Sequence, residues 1–241
     1  MPRFFVPGVE GDALCLTGDL ARHGSVLRLR PGEPITVCDG QGFDYPCQVL
    51  ECTPNRLSLS VLGKCPTKSE PKVRVSIYMA YPKSDKLEHV IQKATELGAF
   101  ELVAFPSSRC VVKYEEKALE KKLPRWQKIA ESAAEQSGRG IIPRVVALSS
   151  FREAVARAAQ ADLSLCFYEN EQGNTLHHAL ANGVPAAVSL LTGPEGGLSI
   201  EEIQTMQCAG MQICTLGSRI LRCETAPLCA LSAIMYAAQE Y

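Results

Sequence analysis

The hydrophobic and polar positions change rhythm near residue 70. Before it, short strand-like runs at 35–38, 45–52 and 57–62 are separated by turn residues at Pro7-Gly8, Gly11-Asp12, Pro31-Gly32, residues 39–42 and Pro54-Asn55. Alternation with period two marks half-buried strands, and several at this spacing predict a small β-barrel or sandwich. Beyond Lys72, buried-strand runs at 73–80, 102–105, 145–148, 163–168, 186–191 and 211–216 alternate with helical spacing. Leu87, Val90, Ile91, Ala94 and Leu97 share one helix face, ended by Gly98. Trp126, Ile129, Ala130, Ala133 and Ala134 share another, with Pro124 suited to the first turn. Ser150 with Glu153 and Ser199 with Glu202 form the capping-box pattern. Thr225 suits the cap of a last helix, with Pro227 in its first turn. This is the pattern of an α/β protein with a mostly parallel sheet covered on both faces. Residues 65–71, polar and carrying two prolines, form the best linker, so two domains are expected, 1–70 and 71–241.

Composition narrows the class. The 241 residues are 46% hydrophobic and 21% charged with a formal charge of -1, an ordinary globular balance with material for a core. A net charge near zero does not bear on nucleic acid, because a local basic surface is what matters. One such region exists: residues 109–144 hold nine Lys/Arg against five Asp/Glu, whereas 1–72 balance eight against eight. With no charged-then-apolar leader and no long apolar run, the chain reads as cytosolic. The eleven cysteines are odd in number and form no C-x-x-C pair, so reduced thiols are expected. His177-His178 lacks convergent partners at ligand spacing, so no metal is expected.

Two segments near the C-terminal end carry candidate chemistry. Residues 191–197, Leu191-Thr192-Gly193-Pro194-Glu195-Gly196-Gly197, follow one strand run. Residues 216–226, Leu216-Gly217-Ser218-Arg219-Ile220-Leu221-Arg222-Cys223-Glu224-Thr225-Ala226, follow another. Loops at strand ends are where open α/β sheets bind ligands. Neither segment fits the phosphate-loop or the G-x-G-x-x-G dinucleotide spacing. Glycine lets backbone approach a ligand, and the paired guanidiniums of Arg219 and Arg222 suit a phosphate or an oxyanion. Gly138 reads as a helix terminator and Arg139 as surface charge or a nucleic-acid contact. Lys83 and Lys86, at a strand-to-helix junction, read as a solvated face or as phosphate contacts. His23, with Arg3, Arg22, Arg28 and Arg30, can line a basic face of the β-domain.

Taken together, five segments in order resemble the ribosomal RNA small subunit methyltransferase E family of the SPOUT superfamily, the trefoil-knotted methyltransferases. They are Arg3-Phe4-Phe5-Val6 with His23 and Val26-Leu27-Arg28; Tyr81-Pro82-Lys83 through Gly98; Glu135 to Arg139 with Pro143; and the two loops above. The resemblance spans nearly the whole chain. Ser84 stands where glycine is expected after Pro82-Lys83, and Cys223 where threonine or alanine is commoner.

The resemblance implies a PUA-like RNA-binding β-barrel followed by a knotted α/β domain, a homodimer, and S-adenosyl-L-methionine as cofactor. The implied reaction methylates N3 of a uridine in 16S ribosomal RNA, free or in the assembled small subunit. It implies cofactor contacts from Leu191, Thr192, Gly193, Pro194, Glu195, Gly196 and Gly197, and from Leu216, Gly217, Ser218, Ile220, Leu221, Thr225 and Ala226. Arg219, Arg222 and Glu224 are the implied catalytic residues: the arginines would stabilise charge developing on the uridine carbonyls, and Glu224 or Glu195 would be a base or an anchor. Arg3, Arg22, His23, Arg28, Lys83, Lys86 and Arg139 are the implied RNA contacts. The rival readings are a SPOUT enzyme acting on transfer RNA or a ribose 2'-hydroxyl, and an RNA-binding protein that keeps the knot without catalysis.

Overall fold

The structure, a computed structural model, describes residues 1–241. The chain divides into two compact units, Met1–Glu70 with Ala134–Ile142, and Pro71–Ala133 with Pro143–Tyr241.

In the first unit, β1 (Arg3–Phe5), β2 (Ala13–Thr17), helix α1 (Asp19–Val26), β3 (Pro34–Cys38), β4 (Phe43–Thr53), β5 (Arg56–Val61) and the two-residue β6 (Cys65–Pro66) follow in order. The sheet runs β1-β3-β4-β5-β2, with β6 on β4. The ladder is open between β1 and β2. The barrel or sandwich read from the turns is therefore, in hydrogen-bonding terms, one mixed sheet with α1 packed on β2, β4 and β5. Phe4, Ile35, Val37, Leu57 and Leu59 are sealed in its core. Each large aliphatic side chain buried this way contributes about 1.5–3 kcal/mol. Gly24 lets α1 approach that closely, since a Cβ there would sit 3.0 Å from Leu57 Cδ2.

Residues 65–71 are not a free linker. β6 pairs with β4, and the Glu70 carboxylate accepts hydrogen bonds from the backbone N–H groups of Gly140 (2.8 Å) and Ile141 (3.1 Å).

The second unit is built on β7 (Arg74–Ala80), α2 (Lys86–Glu96), β8 (Glu101–Phe105), α3 (Glu116–Ser137, whose last turn belongs to the first unit), β9 (Arg144–Ala147), α4 (Phe151–Ala158), β10 (Leu163–Phe167), α5 (Leu176–Ala179), β11 (Ala187–Thr192), α6 (Ile200–Cys208), β12 (Gln212–Cys214) and α7 (Thr225–Ala237). The sheet order is β12-β10-β11-β7-β8-β9, and every neighbouring pair is parallel. Near-continuous burial of β8, β10 and β11 fits a sheet covered on both faces.

Three local expectations are corrected. Pro124 lies inside α3 and not in its first turn, because the helix-forming run from Glu116 to Leu123 starts the helix two turns earlier. The cap of α7 is Glu224, without a side-chain bond, and Thr225 is its first residue. Only Ser199 with Glu202 forms the reciprocal capping box; at Ser150 only the hydroxyl's bond to Glu153 N–H is made. All eleven cysteines are free thiols, and five of them, including Cys15, Cys208 and Cys229, are not buried. No helix is long and apolar enough to cross a membrane.

Candidate active site

Because the strands of the second sheet are parallel, their carboxyl ends share one edge. Register aligns Phe167 of β10 with Thr192 of β11 and Cys214 of β12. The segments that follow these three strands enclose a cleft of about 850 Å³, in the range of small-molecule sites.

The wall after β11 owes its shape to glycine. Gly197 N–H donates to the Pro194 carbonyl at 2.9 Å, and Gly197 has φ +68°, in the left-handed region. A Cβ at Gly193 would lie 3.0 Å from both the Gly197 carbonyl carbon and Leu198 Cγ. Glycine at 193 thus serves the closure of the loop itself. Arg109 Nη1 donates to the Gly196 carbonyl at 3.0 Å and fixes the outer side of the turn. The wall after β12 reverses at Gly217, φ +103°, whose N–H is taken by Thr215 Oγ1 at 3.2 Å.

Charge is concentrated where the walls approach each other. Lys86 Nζ lies 3.0 Å from Glu195 Oε1 and 3.1 Å from Glu224 Oε2. Glu195 also accepts from Lys83 N–H at 3.0 Å, and the Cys223 thiol donates to Glu224 Oε2 at 3.2 Å. Burial works to raise both carboxyls, but the Lys86 contact and backbone N–H groups at Glu195 hold it below the usual range. At Glu224 its own backbone N–H, the Cys223 thiol and Lys86 do the same. The Glu195 hydrogen bond, against a burial cost, lifts Lys86 above the ordinary lysine value. Burial first, then the bond to Glu224, pushes the Cys223 thiol up to about 12. All three ionisable partners are thus charged at neutral pH, and the thiol is protonated.

The structure brings most of the expected cofactor residues to the cleft. Thr192, Gly193, Pro194, Glu195, Gly196, Gly197, Leu216, Gly217, Ser218, Ile220, Leu221 and Ala226 line it, as do Arg219 and Arg222. Leu191 is sealed inside β11, and Thr225 lies outside the lining. Arg219 and Arg222 are exposed and form no ion pair. Glu224 is paired with Lys86 and held ionised.

The expected RNA contacts separate. Arg22, Arg28 and Lys83 are exposed, and Arg28 has φ +57°. His23 is half-buried, its ring 5.3 Å from that of Phe4. Three of the expected contacts are engaged within the chain. Arg3 grips Asp44 with both guanidinium nitrogens, at 2.6 and 2.9 Å, and is largely buried. Arg139 is 4% exposed and bound to Glu70. Lys86 is engaged by two carboxylates. None of these three presents a free cation to a phosphate.

Sequence reasoning missed the wall after β10, where Tyr168, Glu169, Glu171, Gln172 and Thr175 line the cleft. Its signal was the one that found the other walls, a polar run directly after a buried strand. Glu171 shapes this wall by accepting from Gly173 N–H (2.7 Å) and Asn174 N–H (3.0 Å).

Comparison with known proteins agrees with this layout. A family described as RNA methyltransferase domain matches residues 68–235, and one described as RNA methyltransferase PUA domain matches 16–62. The chain is 39% identical, over 94% of its length and 91% of the relative's, to ribosomal RNA small subunit methyltransferase E of Bacillus subtilis. The crystal structure of the Neisseria gonorrhoeae ribosomal RNA small subunit methyltransferase E bound to S-adenosyl methionine superimposes with TM-score 0.87 at 33% identity, covering 98% of this chain and 97% of that one. A Legionella pneumophila putative methyltransferase in complex with the cofactor SAM gives TM-score 0.86 at 29% identity, over 98% and 97%. On these matches, which cover both compact units and the cleft-bearing sheet, the chain belongs to the ribosomal RNA small subunit methyltransferase E family.

Proposed function

We propose that this protein transfers a methyl group from S-adenosylmethionine to N3 of a uridine in 16S ribosomal RNA. The observation that carries the reading is the glycine-walled cleft at the strand ends, with unpaired arginines on its rim, in a chain of this family.

The cleft suits the cofactor on its own chemistry. Glycine loops expose backbone N–H and C=O groups for a nucleoside. The Thr192 hydroxyl, on a residue 2% exposed that lines the cleft, is the one buried side-chain polar atom without a hydrogen-bond partner, and buried hydroxyls seek one. Glu169 and Glu171 put negative charge where a ligand bearing an ammonium and a sulfonium is favoured. When bound, S-adenosylmethionine supplies an electrophilic methyl group. Gly193 to Gly197, Leu216 to Ser218, Ile220 and Leu221 hold and orient it.

Uridine N3 must lose its imide proton to attack. Glu195 and Glu224, ionised and paired, are weak bases at neutral pH. Arg219 and Arg222 stabilise the negative charge spreading onto the flanking carbonyl oxygens, which lowers the cost of releasing the proton to water. Arg22, Arg28 and Lys83 meet RNA phosphates, and so does His23, set against Phe4. Residues 1–70 with 134–142 act as the PUA-like RNA-binding domain, and 71–133 with 143–241 as the methyltransferase domain, with the segments after β10, β11 and β12 forming the trefoil knot. A homodimer is supported by α7, whose outer side is apolar: Cys229, Ala233 and Tyr236, the last 77% exposed, with Ile220 at 85% nearby in sequence.

The test is mass spectrometry of ribosomal RNA nucleosides with and without the gene. Loss of 3-methyluridine from the small-subunit RNA, restored by the protein, is the expected result. A methylated ribose or a transfer RNA product would redirect the reading.

A further inference from the structure

Lys86 touches both of the cleft walls described above. It is the first residue of α2, where the positive end of the helix disfavours a cation. Its position is explained by what faces it: Glu195 Oε1 at 3.0 Å from the wall after β11, Glu224 Oε2 at 3.1 Å and Cys223 Sγ at 3.7 Å from the wall after β12. The neighbouring Lys83 N–H also holds Glu195, at 3.0 Å. Glu195 and Glu224 have no other ion pair, so the only charge bridging the two walls is this ammonium.

We propose that Lys86 is a positioning residue that clamps the two walls at the separation the cofactor requires, and that it does not act as an RNA contact. The proposal rests on the reading of the cleft as the S-adenosylmethionine site. Without the ammonium, two carboxylates face each other across the vacated space, and like charges at that range drive the walls apart. Binding then has to close the gap as well as fill it, which lowers the population of competent cleft and the apparent affinity with it. The Cys223 thiol, held against Glu224 and pushed up to about 12, is shielded while the clamp is closed.

The test is calorimetric titration of S-adenosylmethionine into the full-length protein and its variants, beside RNA binding over a range of salt and mass-spectrometric mapping of Cys223 alkylation without cofactor. Lys86→Met is expected to weaken cofactor binding about tenfold, the weight of one charge-assisted contact. It should speed Cys223 labelling and leave both RNA affinity and its salt slope unchanged. Lys86→Arg, which keeps a cation able to reach both carboxylates, restores most of the affinity. Should Lys86→Met fail to fold, Glu224→Gln takes its place, with weaker cofactor binding and faster labelling expected. Unchanged cofactor affinity together with a salt slope reduced by about one would make Lys86 a phosphate contact and overturn the proposal. Additive effects of Lys86→Met and Glu224→Gln, in place of coupling, would overturn it as well. Failure of the wild-type protein itself to bind S-adenosylmethionine would instead overturn the cofactor reading beneath it, whatever Cys223 does.

Discussion

Arg139 and Glu70 are joined by two hydrogen bonds, Nη2 to Oε2 at 2.7 Å and Nε to Oε1 at 3.3 Å, with the arginine 4% exposed. The same carboxylate takes the N–H groups of Gly140 and Ile141. Removing one partner of a buried pair leaves an uncompensated charge, so Glu70→Ala is expected to destabilise by about 3–5 kcal/mol. Glu70→Gln, which keeps an acceptor for the backbone, should lose less. Urea unfolding checks both; a loss under about 1 kcal/mol for Glu70→Ala would show that the brace contributes little.

Ser84 has φ +59°, the left-handed region where glycine is at ease. The residue that departs from the family's expected glycine therefore sits in backbone that glycine prefers. Ser84→Gly should stabilise by about 0.5–1 kcal/mol, less the entropy glycine adds to the unfolded chain. Thermal unfolding should move up by about 1–4 °C. A lower melting temperature would contradict the strain.

The charged triad sets a pH window. Glu195 and Glu224 are lowered from their ordinary 4.5, so what they contribute is complete above about pH 5 and is lost as pH falls through their folded values. Lys86 is raised from 10.5, so its contribution is complete below that value and is lost only as pH rises through the folded one. Cofactor affinity should accordingly be flat between about pH 6 and 7, below the titration of the cofactor's own amino group at about pH 8, and decline on the acid side. Neither carboxylate changes its ionisation near neutrality, so single-turnover methyl transfer should rise with pH without a protein pKa between about 6 and 8. A titration of the rate in that interval, abolished by Glu224→Gln, would reinstate Glu224 as the base.

Arg222 lines the cleft, is exposed and makes no ion pair. Arg222→Ala should leave thermal stability within about 0.5 kcal/mol of the wild type. Its single-turnover rate should fall by about 10²–10³, the effect of removing one oxyanion donor. Near-wild-type turnover would remove it from the mechanism.

Gly193→Val acts on the loop before it acts on any ligand, because its Cβ would meet Gly197 and Leu198 at 3.0 Å. Cofactor binding should be weakened and the melting temperature lowered together. Weakened binding at unchanged stability would mean that the side chain obstructs the ligand directly.

Some of this was legible in the chain. The helix read from the face Leu87 to Leu97 is α2, Lys86–Glu96, because amphipathic spacing and the terminator Gly98 act over single turns. The strand runs fell where β7, β8, β10 and β11 lie, for the same local reason. Pro124 misled because a local rule, proline in the first turn, met a stronger local tendency in the residues before it. The internal pairing of Arg139 and of Arg3 was hidden for a different reason: the partner of Arg139 lies 69 residues away, and that of Arg3 lies 41 away.

The sequence by itself determined most of the elements, the change from β-rich to alternating architecture near residue 70, and the two glycine-arginine segments that line the cleft. Periodicity, turn residues and glycine's freedom are properties of short stretches, so they can be read there. Only the tertiary structure decided which charges stay free. Parallel strands bring the ends of β10, β11 and β12 to one edge, α2 sets Lys86 between Glu195 and Glu224, and Arg3 and Arg139 are drawn into internal pairs. An ion pair depends on distance in space, and at these positions sequence separation carries no information about that distance.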